Sequence, residues 1–153
     1  MYSPIRTLCH CLVLALAGWG LQTSVASAEM PLVELGAGMH RIEAELAYTE
    51  PARQVGLMNR KAMPMHRGMV FAFTREARHC MWMRNTLIPL SVAFLDREGR
   101  ILNIEQMEPR TDDSHCAAAP ARYALEMNRG WFAQRGITAG DRIRGIERLP
   151  PAR

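Results

Sequence analysis

His40-Arg41-Ile42-Glu43-Ala44-Glu45-Leu46-Ala47-Tyr48 alternates apolar and polar residues along an extended chain. Ile42, Ala44, Leu46 and Tyr48 fall on one side and Arg41, Glu43 and Glu45 on the other, the period-two pattern of a strand with one wet face. Working outward, Thr49 offers a helix N-cap, and Glu50 and Pro51 suit a first turn. A short helix through Ala52, Arg53, Val55, Leu57 and Met58 is therefore predicted, ending near Asn59.

A loop over 61–67, containing Pro64, leads to a second strand at 68–73. A charged turn at 74–78 precedes a third strand over 79–86. Pro89 can open the strand 90–95, which turns through Asp96-Arg97-Glu98-Gly99 into a partner at 101–106. Gly99 is available there for a positive φ. Residues 108–121 are polar, rich in small side chains and hold two prolines, so they are predicted to form a long surface loop. A strand at 123–127, a short helix at 131–135 and a closing strand at 143–146 complete the pattern. The expected fold is mainly β (α+β), a compact β-sandwich or barrel-like domain of about seven short strands with one or two short helices.

The N-terminus carries Arg6, then the apolar run Leu12-Val13-Leu14-Ala15-Leu16-Ala17, then small residues ending in Ala26-Ser27-Ala28. This is the layout of a secretory signal peptide over 1–28, with a single domain expected over 29–153 and a periplasmic or secreted destination. The apolar run is shorter than the ~20 residues a membrane span needs, so no stable span is expected after cleavage. Cys9 and Cys11 precede that run and leave with it. Losing Arg6 lowers the formal charge from +4 to +3. That balance, with no basic run, argues against a nucleic-acid partner.

Cys80 and Cys116 remain in the mature chain, and in an exported protein they can form one disulfide across a loop of about 35 residues. Free thiols serving a metal are the alternative. Cys80 lies in His79-Cys80-Met81-Trp82-Met83-Arg84-Asn85-Thr86, the densest run of reactive side chains in the protein. Strand alternation sends His79, Met81, Met83 and Asn85 to one face and Cys80, Trp82, Arg84 and Thr86 to the other.

Three functional readings follow. The first joins Arg53, Trp82, Arg84, Asn85, Asp96 and Glu126 in a polar, aromatic-walled pocket for a small anion or an envelope component. Arginine forks bind carboxylate or phosphate in a bidentate manner, and a few polar groups in an aromatic cleft are typical of small-ligand sites. In its structural counterpart, Arg53 or Arg84 pairs with Glu126 to hold the fold. The second reading is Cu(I) at His79, Met81 and Met83, since thioethers select soft metals; methionines filling core gaps are the plainer use of the same residues. The third is a Cys/His-dependent or acid-base enzyme drawing on Asp112, Asp113, Ser114, His115 and Cys116. No zinc spacing, phosphate loop or serine elbow accompanies it. A partner-binding module would instead present an exposed apolar patch.

Several ordered motifs occur together: Thr49-x-x-x-Arg53-x-x-Gly56-Leu57-Met58-x-Arg60, Gly68-Met69-Val70-Phe71-x-Phe73, and Trp82-Met83-Arg84-Asn85-Thr86-x-x-Pro89-Leu90. Phe94-Leu95-Asp96, Met107-x-Pro109, Leu125-Glu126 with Gly130, and Gly136-Ile137-x-x-Gly140-Asp141 extend them. Over nearly all the mature chain this resembles the domain of unknown function 192 family. The resemblance implies a compact, mostly β fold and brings no established activity, so function rests on the site. Two positions depart from the family pattern: Ser91 stands where an aspartate usually follows the Pro-Leu pair, and Arg84 where a lysine is frequent.

Overall fold

The computed structural model describes residues 30–153. The segment read as a signal peptide, 1–28, lies outside the described residues. The chain runs β1 (Leu32–Ala37), β2 (His40–Ala47), α1 (Glu50–Val55), β3 (Arg67–Ala77), β4 (Cys80–Met81), β5 (Leu90–Leu95), β6 (Ile101–Met107), β7 (His115–Cys116), β8 (Ala121–Asn128) and β9 (Ile143–Arg144), with 3-10 turns at Ala133–Arg135 and Ile146–Arg148. Seven strands form one sheet in the order β6-β5-β8-β3-β2-β1-β9, and β4 and β7 form a separate two-stranded ribbon. All pairs are antiparallel except β2 with β3. A parallel pair needs a crossover. The segment carrying α1 supplies it, and this places α1 on the sheet's outer face.

The result is a mainly β domain, a curled half-barrel with one short helix. Its edges meet at one end, where Arg100 bridges Arg142, Ile101 N–H donates to Asp141 O at 2.8 Å and Ile143 N–H donates to Gly99 O at 2.8 Å. Inside the curl, Ile42, Ala44 and Leu46 of β2 pack with Val70, Leu125, Trp131 and Phe132. The opening alternation is thus realised. The central strands are buried on both faces, which is why 68–73 and 90–95 read as unbroken apolar runs. Their outer face packs Met69, Phe71, Leu90, Val92 and Phe94 against Leu57, Met83 and Ile88 from the segments after α1 and β4.

Gly99 has φ +80°, and a Cβ there would collide with Ile143 O at the closure. Gly99→Ala is therefore expected to cost roughly 2 to 3 kcal/mol through left-handed strain and a broken edge contact. Urea unfolding checks this; an unchanged midpoint would mean the closure adds no stability.

The structure corrects several local expectations. Residues 74–77 continue β3 as an exposed extension instead of turning, and β3 rejoins β8 through the pair Ala77 and Ala121 after a register shift. The strand expected over 79–86 ends at Met81. Thr86 N–H donates to Met83 O and Asn85 takes φ +59°, so the chain turns and the alternation is lost. The long loop contains β7, registered against β4 through Cys80 with Cys116 and Met81 with His115. α1 stops at Val55 because Gly56 leaves helical geometry at φ +48°. Among the described residues no helix is long and apolar enough to cross a membrane.

Candidate functional site

α1 is started by Thr49, whose hydroxyl accepts from Ala52 N–H at 3.4 Å, and by Pro51 in the first turn. This orients Arg53 towards the sheet. Its Nη1 donates to Tyr48 O and Ala72 O, each at 2.9 Å, and its Nη2 donates to Glu50 Oε2 at 2.8 Å and Arg153 O at 3.4 Å. Four of the five guanidinium N–H groups are thereby occupied. Arg53 joins the helix, β3, the residue that follows β2 and the C-terminal segment, and its fork is not free to clasp an anion.

Beside Arg53 a cleft of about 300 Å³ opens between α1, the outer face of β3 and β4. Phe71, Phe73, Met81 and Trp82 give it apolar walls, with Glu50 and Arg75 among its polar groups. Phe71 and Phe73 share a face because they lie two residues apart on one strand. Adjoining the cleft is a smaller cavity of about 30 Å³ that shares Arg53, Gln54, Phe71, Met81 and Trp82 with it and reaches Glu126.

Glu126 sits mid-sheet on β8, registered against Met69 of β3 and Val92 of β5. Only 4% of its surface is exposed. No ion pair reaches it among the described residues, and burial pushes its carboxyl up to about 8. Taking a charge out of water without a partner disfavours the ionised form. At neutral pH Glu126 is therefore a carboxylic acid, able to donate one hydrogen bond and accept others. The expected structural pair of Arg53 or Arg84 with Glu126 is absent: Arg53 bonds Glu50, and Arg84 Nε donates to Asp112 Oδ1 at 2.9 Å.

Trp82 stands half out of the surface at 53% exposure, with the Arg84 guanidinium 4.7 Å from its ring centroid. Arg84 thus borders the cleft through Trp82. Asn85 shapes the turn beneath, its carbonyl accepting from Asn59 N–H at 2.9 Å. Asp96 lines neither cavity. Its Oδ1 accepts from Glu98 N–H at 2.9 Å and Arg100 N–H at 2.8 Å, organising the β5–β6 turn.

Of the proposed metal set, His79 and Met81 line the cleft, whereas Met83 is fully buried in the outer core. The chain leaves strand geometry after Met81, and this separates the thioethers. The His79 ring stacks on Phe73 at 3.7 Å, with Nε2 3.0 Å from Arg75 O. Among the described residues no three or more His, Cys, Asp or Glu side chains gather at a metal-binding spacing. Cys80 and Cys116 are joined by a disulfide with an S–S distance of 2.03 Å, so Cys116 is not a free thiol beside His115. Phe71 and Phe73 were not among the expected site residues, although their spacing already placed them on one face. Arg75 had no such cue, since it lies in what reads as a turn.

A curled β half-barrel with an aromatic-walled cleft on its outer face is the class that the fold and site define. The chain belongs to the DUF192 family, described as uncharacterized ACR, whose profile matches residues 33–145. It is similar to a crystal structure from Novosphingobium aromaticivorans DSM 12444, a protein of unknown function, with 32% identity and a TM-score of 0.70 over 78% of this chain and 88% of that one. It is also similar to a Sinorhizobium meliloti 1021 protein proposed to be a transcription regulator, with 33% identity and a TM-score of 0.68 over 74% of this chain and 91% of that one. A search of curated proteins finds no match.

Proposed function

We propose that the protein is an exported, non-enzymatic module that binds a small ligand in the Trp82 cleft. The observation that carries this reading is a buried carboxyl without a charged partner at the end of an aromatic-lined opening. Such a group costs stability, and a ligand that hydrogen-bonds it offsets part of that cost. The ligand class is a flat, partly apolar molecule that stacks on Trp82 and presents an oxygen to the Glu126 acid. With the Arg53 fork occupied, and Arg84 paired with Asp112 and outside the cleft lining, Arg75 is the guanidinium at the opening left for an anionic substituent.

Saturation-transfer NMR with N-acetylglucosamine, N-acetylphenylalaninamide and benzoate tests the reading. At least one probe is expected to bind, with Trp82→Ala weakening it about tenfold while leaving stability within about 0.5 kcal/mol, since the side chain is half exposed. Probes that all fail to bind, or that bind equally well to Trp82→Ala, would sink the proposal.

A further inference from the structure

Another cavity lies away from the cleft and is built by different elements. It is a groove of about 660 Å³ between the β1–β2 turn and the segment carrying β9. Arg41, Arg142, Arg144 and Arg148 line it, together with Glu34 and Glu147.

The two carboxylates already have partners. Glu34 pairs with Arg41 at 2.8 Å and Glu147 with Arg148 at 3.6 Å. Glu147 also accepts from Gly145 N–H at 3.0 Å. Arg142 and Arg144 have no carboxylate within ion-pair distance among the described residues. Arg142 Nε donates to Glu98 O at 2.8 Å, and Arg144 Nη2 donates to Gly38 O at 2.6 Å. A carbonyl occupies one N–H and holds the guanidinium in place without neutralising it; Arg142 also feels the Glu147 carboxylate at longer range than an ion pair.

Gly36 completes the arrangement. It stands opposite Arg144 in the β1–β9 ladder, and a Cβ there would come within 3.0 Å of Arg144 Nη2. A glycine inside a strand weakens it and commonly marks a close approach. Here the approaching group is a guanidinium laid across bare backbone.

We propose that this groove is a second binding site, specific for a small soluble molecule bearing a phosphate or diphosphate group, with Arg142 and Arg144 as its paired forks. Planar guanidinium groups held in place by carbonyls and free of a direct ion pair suit bidentate phosphate contacts. The opening accommodates a diphosphate with an attached group. The site is independent of the cleft.

Isothermal titration with inorganic pyrophosphate tests this on the mature protein. Binding is expected to weaken with added salt and to fall at least tenfold in the Arg142→Ala, Arg144→Ala double variant. Arg142→Lys with Arg144→Lys keeps both charges, removes both forks, and is expected to lose severalfold. Gly36→Ala is expected to displace the Arg144 guanidinium and weaken binding with the charge intact. No heat on titration, or equal affinity in the double variant, would overturn the proposal. So would retention by phosphatidylglycerol vesicles without pyrophosphate binding, which would assign the groove to a lipid headgroup. Tighter binding of duplex DNA than of pyrophosphate would overturn it as well.

Discussion

Glu126→Gln is expected to stabilise the protein by about 4 kcal/mol at pH 8 and by close to nothing near pH 4.5. The buried carboxyl titrates at about 8 in the folded protein, against an ordinary value of 4.5. In the unfolded chain it ionises freely once the pH passes 4.5. The native state keeps the proton, so each pH unit between the two values costs about 1.4 kcal/mol of stability. The sign follows directly: the stability associated with the neutral acid is complete below the unfolded value, declines as pH rises, and is lost by the time pH passes the folded value. Glutamine has nearly the same shape and never ionises, so the variant should show a flatter profile over this window. Urea unfolding at half-unit pH steps measures the difference between the two proteins. Parallel profiles would mean that Glu126 is not a buried neutral acid, and the proposed binding reading would lose its main support. The same variant also separates function from stability. An amide still offers a donor, so a ligand oxygen should remain bound while the pH dependence disappears.

Replacing both Cys80 and Cys116 by serine is expected to cost roughly 3 to 4 kcal/mol, the chain-entropy value for a loop of this size. The pair is 36 residues apart in sequence and directly opposed in a ribbon only two residues long on each side. Other bonds join the two arms of the ribbon or tie it to the main sheet. Ala117 N–H donates to His79 O at 2.9 Å and Met83 N–H to Thr111 O at 3.1 Å. Asn103 of β6 ties the ribbon to the main sheet, donating to Cys116 O at 3.0 Å and accepting from Ala118 N–H at 2.9 Å. Since β4 forms one wall of the cleft, the serine variant should also bind any Trp82-dependent probe more weakly. Chemical unfolding of the oxidised protein and the variant provides the measurement, with a free-thiol count of zero expected for the former. A stability difference below about 1 kcal/mol would show that the ribbon's other contacts suffice to hold it.

Some of the site could be read in advance and some could not. Arg53, Trp82 and Glu126 were expected to meet, and they border adjoining cavities. Each was identifiable by its chemistry, an arginine fork, an aromatic wall and a carboxylate, and each falls within one of the ordered motifs. Asp96 carries the same kind of carboxylate in a similarly marked position, yet it bonds the backbone of its own turn. The difference between Asp96 and Glu126 is one of environment: the first has two N–H groups within reach along the chain, the second lies mid-sheet between two apolar strands. The cluster at 79–86 misled for a local reason. Its composition suits a strand, but Asn85 accepts left-handed geometry and turns the chain, so Met81 and Trp82 both line the cleft while Met83 goes inward.

Patterns repeated along the chain determined that the protein is mainly β, that 40–48 forms a strand with one wet face, and that two cysteines were available for one bridge. Each depends on properties of residues a few positions apart, which side-chain periodicity reports directly. Tertiary structure alone decided the pairings of the polar groups. Packing of α1 on the sheet brings Ala72 O, Tyr48 O and Arg153 O to Arg53, and no cation pairs with Glu126 among the described residues. The β1–β9 pairing lays Arg144 across Gly36 in the groove that Arg142 also lines. Hydrogen bonds and ion pairs are short-ranged and directional. Which donor meets which acceptor therefore depends on sheet order and register between segments as far as 114 residues apart, a relation that no local periodicity carries.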